Sequence, residues 1–242
     1  MKNFSAFIGY DSRQPLAYAV AIRSLKNQTA GMDLPITPIL LPDLQGKGLY
    51  DREMVKRDGQ MFDVISSAPM STEFAISRFF IPYLANYKGW SLFTDSDFLF
   101  RKPLDELFAQ ADDSKAIMCV QHEYEPPETV KMDGQLQTLY RRKNWSSMML
   151  INNEHPKNRV LEPKLLNALP GRDFHAFSWL EDDDIGALDV RWNWLEGHSD
   201  QDIDPAVVHF TRGTPNMPGY ETTPFADEWR AVADTINMCK VE

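Results

Sequence analysis

Two aspartates one residue apart, Asp95 and Asp97, stand between the apolar runs Ser91-Leu92-Phe93 and Phe98-Leu99-Phe100. Apolar residues on both sides mark a buried strand or strand end, where an uncompensated charge is costly. Residues i and i+2 of an extended segment point to one face, so the two carboxylates can converge. With no Lys or Arg between residues 91 and 100 to fix beside them, converging carboxylates ask for a divalent cation with oxygen ligands. The rival reading is a turn, since Asp and Ser are favoured turn residues.

The bulk properties narrow what such a site would serve. The chain has 242 residues, 43% hydrophobic and 25% charged, enough apolar material for one large globular domain. A formal charge of -10 argues against a nucleic-acid partner. It also means that any phosphorylated ligand must be met by a local cation, either a metal or Arg/Lys. Cys119 and Cys239 lack metal-ligand spacing and make no disulfide framework, so a reducing, cytoplasmic setting is expected. No apolar run approaches the ~20 residues of a membrane span, and the first one is too short for a signal peptide.

The elements around the pair alternate. Phe4–Gly9 reads as a buried strand ending at Tyr10 and Asp11. A helix follows, with Ser12 as its cap, Pro15 in its first turn, and a stripe of Leu16, Ala19, Val20, Ile22 and Leu25. Residues 36–41, with Pro38 inside, suit an edge strand, and 44–62 a loop with a short helix. A stronger helix is expected from Ser71-Thr72-Glu73 to Gly89, bent at Pro82, with Arg78 its sole cation among apolar neighbours. Arg78 divides evenly between a snorkelling surface residue and a site residue. Further strands are expected at 90–93, 116–120, 147–152 and 206–210, and helices at 103–108, 156–169 and 225–238. Residues 122–144, with mixed charge and adjacent prolines, read as a lid-like segment. The acidic run Glu181-Asp182-Asp183-Asp184, with Trp179, Trp192 and Trp194 nearby, suits a solvated surface or a saccharide site equally. The whole is an α/β chain, a single domain over 1–242, with its ligand edge at the carboxyl ends of the strands.

An Asp-X-Asp at a mid-chain strand end followed by a late strand-end His209-Phe210 resembles the GT-A glycosyltransferases. More narrowly, the order of motifs resembles the retaining family 8 of glycogenin and the bacterial galactosyltransferases. Asp182-Asp183-Asp184-Ile185 is similar to that family's Asp-Gln-Asp-Ile, and Arg191-Trp192-Asn193-Trp194 to its Arg-aromatic-Asn-aromatic. The resemblance implies a single Rossmann-like domain with a mixed central sheet flanked by helices. Its nucleotide-binding half would span about 1–100 and its acceptor-side half about 101–242. It implies that Asp95, Asp97 and His209 hold Mn²⁺ or Mg²⁺ on a nucleotide-sugar diphosphate, a mixed O/N set that suits Mn²⁺. It further implies that Tyr10, Asp11, Arg78, Asp95 and Ser96 contact the donor. Asp182 and Asp183 would hold sugar hydroxyls at the reacting carbon, with a carbohydrate or other hydroxyl compound as acceptor.

Three departures stand out. The family's Asn-Ala-Gly before the Leu-Ile-Asn strand is Trp145-Ser146-Ser147 here, and Asp183 replaces its Gln. Its phosphate-binding Lys is missing near Asn216, which leaves Arg212 to supply the charge. Two rival functions share these residues. A haloacid-dehalogenase-like phosphohydrolase would use Asp95 as nucleophile and Asp97 as acid/base, although that motif normally sits on a first strand and continues Gly-Thr, where Phe98-Leu99 stand here. A non-catalytic sugar-binding relative would use the tryptophans.

Overall fold

The computed structural model describes residues 2–57, 59–123 and 142–238. Most of the expected lid-like segment, and Cys239, lie outside the described residues.

The continuous apolar runs of the sequence become the middle of a six-stranded sheet. β1 (Phe4–Gly9) is followed by α1 (Pro15–Asn27), the edge strand β2 (Ile36–Ile39) and the short α2 (Leu41–Gly46). A small antiparallel sheet then forms from β3 (Met54–Arg57), β4 (Gln60–Asp63) and β5 (Ala68–Pro69), in a stretch expected to be loop and helix. Its alternation is too short and too polar to stand out. Arg52, paired with Asp63 at 2.6 Å, ties it to the body.

The helix expected from residue 71 is instead a run of turns, a 3-10 turn Ser77–Phe80 and the single-turn α3 (Ile81–Leu84). Pro82, at the second position of α3, cannot donate to a preceding turn and so bars the α-helix from reaching back toward residue 71. Asn86 and Tyr87, at positive φ, end it on the other side. β6 (Trp90–Thr94) leads through Asp95-Ser96-Asp97 into β7 (Phe98–Phe100), and α4 (Asp105–Phe108) and β8 (Ile117–Cys119) follow. β9 (Met148–Asn152) comes next, then a 3-10 turn Pro156–Val160, α5 (Pro163–Leu166) and α6 (Gly171–His175), where one helix over 156–169 was expected. Pro163 divides that stretch. The chain closes with β10 (Ile185–Ala187), β11 (Trp194–Leu195), β12 (Val207–His209) and α7 (Ala226–Met238).

The central sheet runs β10-β8-β9-β6-β1-β2, mixed because β9 is antiparallel to both neighbours. Its side chains alternate between two cores. Phe7, Phe93, Met149 and Ile151 pack with Phe74, Phe79 and Phe174 on one face. Ala6, Ile8, Leu92 and Leu150 pack with Leu25, Leu104 and Trp192 on the other. Burying each large apolar side chain contributes about 1.5–3 kcal/mol, so the two-sided cover is what fixes the register of β6. α1 lays Ala17, Val20, Ala21, Ser24 and Leu25 inward, one residue off part of the expected stripe. Ser12 does not cap it; Gln14 precedes Pro15, and the Ser12 hydroxyl donates to Glu73 instead.

Candidate active site at the β6, β7 and β12 ends

Three strands deliver the candidate ligands. The β6–β9 ladder pairs Thr94 with Met148 and ends with the Asp95 N–H donating to the Ser147 carbonyl at 2.9 Å. Asp95 therefore sits at the carboxyl edge of the central sheet. β7 pairs antiparallel with β12, His209 opposite Phe98, and Phe210 N–H donates to the Asp97 carbonyl at 3.0 Å. Asp97 is brought to His209 because β7 begins where β12 ends. Ligand atoms of Asp95, Asp97 and His209 all lie within 4.8 Å of one another. Ser96, between the two acids, is buried.

The two carboxylates face different neighbours. Asp97 Oδ1 is 3.4 Å from His209 Nε2, and Asp95 Oδ1 is 2.7 Å from Arg78 Nη1. Asp97 Oδ1, buried, has no hydrogen-bond donor among the described residues, whereas Asp95 Oδ1 is met by the Arg78 charge. A buried acceptor without a donor is costly, and a cation beside Asp97 would relieve it. Two carboxylate oxygens and one imidazole nitrogen at this spacing are a donor set that fits a divalent metal. Burial pushes Asp95 up to about 6; Arg78 pulls it back, the like charge of Asp97 raises it, and His209 lowers it. The His209 ring stacks on Phe98 with centroids 4.3 Å apart, and its Nδ1 lies 3.1 Å from Asn193 Oδ1.

Arg78 is buried, 4% exposed, and not a snorkelling surface residue. It donates to the carbonyls of Ala75 (3.2 Å) and Ser146 (2.9 Å), with its guanidinium over Phe93 and Phe74. His175 of α6 lies beside it. Its Nδ1 is 2.7 Å from Ser146 Oγ, and burial with the Arg78 charge pushes it down to about 3, so it is neutral. Ser146, Ser147, His175 and the second-layer role of Asn193 were not anticipated from sequence.

The remaining candidates are dispersed or engaged. Tyr10 packs edge-on against Tyr18 at the end of β1. Asp11 is 1% exposed and spends its carboxylate on Arg13 and on the Glu73 N–H. Burial would raise its pKa, but those bonds outweigh it and hold the group below the usual range. Asp11 thus clamps two loops and offers no open acceptor to a base or ribose. Arg212 is tied to the buried Glu196, so its charge already has a partner.

Asp182 and Asp183 are not brought to the carboxylate pair. Ile185 pairs with Ile117, Ile117 with Ile151, and Ile151 with Ser91, which puts the acidic run at the amino edge of the sheet. Asp95 leaves the opposite edge. Glu181, Asp182 and Asp183 are exposed there and Asp184 is half-buried, with Lys115 Nζ on the Asp183 carbonyl, Lys157 on Asp184, and Arg142 on Asp182. Trp192 and Trp194 are core residues, 0% and 2% exposed, so neither presents a sugar-stacking face.

Beside His209, at the carboxyl ends of β8 and β10, opens a cleft of about 320 Å³ lined by Val120, His122, Leu195, His198 and Ser199 among others. Burial pushes His122 down to about 4, which keeps it neutral. No helix among the described residues is long and apolar enough to cross a membrane.

The same architecture is found in solved enzymes. The galactosyltransferase LgtC, in complex with donor and acceptor sugar analogs, superposes with a TM-score of 0.59 over 96% of this chain and 95% of that one, at 13% identity. The glycosyltransferase GlyE of Streptococcus pneumoniae TIGR4 gives 0.59 at 15% identity, covering 96% of this chain and 60% of its own. The bifunctional glycosyltransferase WbbM gives 0.58 at 12% identity over 96% of this chain and 52% of its own. At such identities the likeness shows the fold, which is the GT-A-like fold of these proteins. No family model matches the chain. In sequence it is 46% identical to Protein CDI of Arabidopsis thaliana over 233 residues, 94% of this chain and 85% of that protein. The chain belongs to the family of Protein CDI.

Proposed function

We propose that the protein is a metal-dependent glycosyltransferase that moves a sugar from a nucleotide-sugar, with a UDP-sugar favoured, to a hydroxyl acceptor with retention of configuration. The observation that carries this is the meeting of Asp95, Asp97 and His209 at the carboxyl edge of a GT-A-like sheet, with Asp97 Oδ1 buried and lacking a donor among the described residues. Asp95, Asp97 and His209 would hold Mn²⁺ or Mg²⁺; bound there, the cation supplies Lewis-acid stabilisation of a leaving diphosphate. Arg78 holds Asp95 ionised and in place, and Ser96 and Tyr10 line the donor side. Asp182 and Asp183 are left out of the machinery because of the sheet edge they occupy, and Asp11 and Arg212 because their charges are engaged. The cleft beside His209, with neutral His122, suits an uncharged hydroxylated acceptor. The chain would act as one unit, donor half about 1–100 and acceptor half about 101–242, in the cytoplasm that its cysteine usage suits.

A phosphohydrolase is not favoured. The Asp95 nucleophile it needs lies against Arg78 at 2.7 Å, at the end of β6, the third strand of its sheet in chain order rather than the first. The test is a screen of UDP-, GDP- and dTDP-sugars for Mn²⁺-stimulated hydrolysis or transfer. Turnover that disappears in Asp97→Ala is expected. Neither binding nor metal-dependent turnover with any donor would reject the reading.

A further inference from the structure

Three buried side chains account for the proton on the inner side of His209. Ser147 Oγ lies 2.7 Å from the Asn144 carbonyl and must donate to it, because a carbonyl has no hydrogen to give. The same Oγ lies 2.9 Å from Asn193 Nδ2 and accepts from it. The Asn193 amide is thereby oriented, so its Oδ1, 3.1 Å from His209 Nδ1, accepts the imidazole proton. A neutral imidazole has one N–H. With that proton on Nδ1, the Nε2 lone pair faces Asp97 Oδ1 across 3.4 Å. Ser147, Asn193 and His209 are 5%, 0% and 5% exposed, so bulk water offers no substitute partner.

We propose that Ser147, acting through Asn193, is a positioning residue that fixes the Nδ1–H tautomer of His209 and so keeps Nε2 available as a ligand atom. Its use for a cation rests on the function proposed above. Ser147 also accepts the Asp95 N–H at its carbonyl, so one residue sets both the place of Asp95 and the proton of His209. Without the hydroxyl the Asn193 amide is free to turn, and its NH₂ then faces Nδ1. The imidazole proton moves to Nε2, where it satisfies Asp97 Oδ1 directly, and the nitrogen ligand is lost.

The test combines ¹⁵N spectroscopy of the neutral His209 ring in the metal-free chain with Mn²⁺ titration calorimetry. Ser147→Ala is expected to move the ring toward the Nε2–H form and to weaken Mn²⁺ binding about tenfold, the scale of an outer-shell loss. The double variant Ser147→Ala/Asn193→Asp should restore the Nδ1–H form, because a carboxylate accepts from either face. Ser147→Gly, which also lacks the hydroxyl, replaces Ser147→Ala if that chain fails to fold. A folded hydroxyl-less variant with unchanged ¹⁵N shifts overturns the proposal. Shifts that move as expected in a chain that never binds Mn²⁺ uphold the tautomer assignment and reject the cation.

Discussion

Arg78 Nη1 stands 2.7 Å from Asp95 Oδ1, a buried cation paired with the first aspartate of the candidate site. Its N–H groups go to the carbonyls of Ala75 and Ser146, which hold the guanidinium in place as a fixed charge. Despite that pairing, burial lifts Asp95 to about 6. Protons then compete with a cation at Asp95. Mn²⁺ affinity is expected to be level above about pH 6 and to fall about tenfold per unit below it. Titration calorimetry across that range checks this, and a break near pH 4, the ordinary aspartate range, would contradict it.

The buried pair Arg52–Asp63 carries a stability prediction. The two side chains are 0% and 1% exposed, and Arg52 also donates to the carbonyls of Leu166 and Leu169. Removing one partner leaves an uncompensated charge, so Asp63→Ala should cost about 3–5 kcal/mol by urea unfolding. Burial would raise Asp63, but hydrogen bonds from Arg52 and Ser66 prevail and lower it. Because the folded pKa is depressed, the contribution is complete above the usual 3.8 and is lost as pH falls through the folded value. The wild type and Asp63→Ala should converge in stability only in strong acid.

Much of the scaffold was legible because β1, β6 and β9 are runs of apolar residues that only a sheet covered on both faces can bury. The Asp95–His209 meeting was legible only through the resemblance to the GT-A glycosyltransferases, since a histidine that ends an apolar run is by itself more often a hydrogen-bonded core residue. Residues 71–84 and 156–169 misled because helical spacing of apolar residues survives in consecutive turns that bury one face. The acidic run misled for a different reason. A short acidic string is as good a lysine-bound turn as a sugar site, and only the β10–β8 register shows which sheet edge it occupies. A literal Asp-Gln-Asp-Ile does occur, at Asp200–Ile203, but it is an exposed turn between β11 and β12. The second layer left no periodic trace, since Ser146, Ser147 and Asn193 act through single hydroxyl, amide and carbonyl groups.

His175 sets a pH dependence that its neutrality explains. Burial and the Arg78 charge depress its folded pKa to about 3 from 6.5. Between those values the unfolded chain binds a proton that the folded chain refuses, so this group makes stability rise with pH, by about 1.4 kcal/mol per unit. Asp95, raised in the folded state, works in the opposite direction over 3.8 to about 6. The two slopes offset in the wild type. His175→Gln, which keeps an acceptor for the Ser146 hydroxyl, removes one of them. The variant's stability relative to wild type should therefore climb steadily as pH drops from 6.5, measured by urea unfolding at matched pH.

Gly9 ends β1 where Phe74 crosses it, and a Cβ there would stand 2.4 Å from the ring. The ring has nowhere to go. Phe74 is 1% exposed, packs against Phe93 with centroids 6.3 Å apart, and carries the Arg78 guanidinium 5.2 Å from its centroid. Gly9→Ala should therefore cost about 1–3 kcal/mol as overpacking, and it should displace Arg78 with the ring. Gly46, at the end of α2, would meet nothing within 4 Å and has no positive φ. Gly46→Ala should be neutral or stabilise by up to about 1 kcal/mol, through lost freedom of the unfolded chain. If packing against Phe74 is what Gly9 provides, Gly9→Ala lowers both the unfolding midpoint and Mn²⁺ affinity, while Gly46→Ala lowers neither.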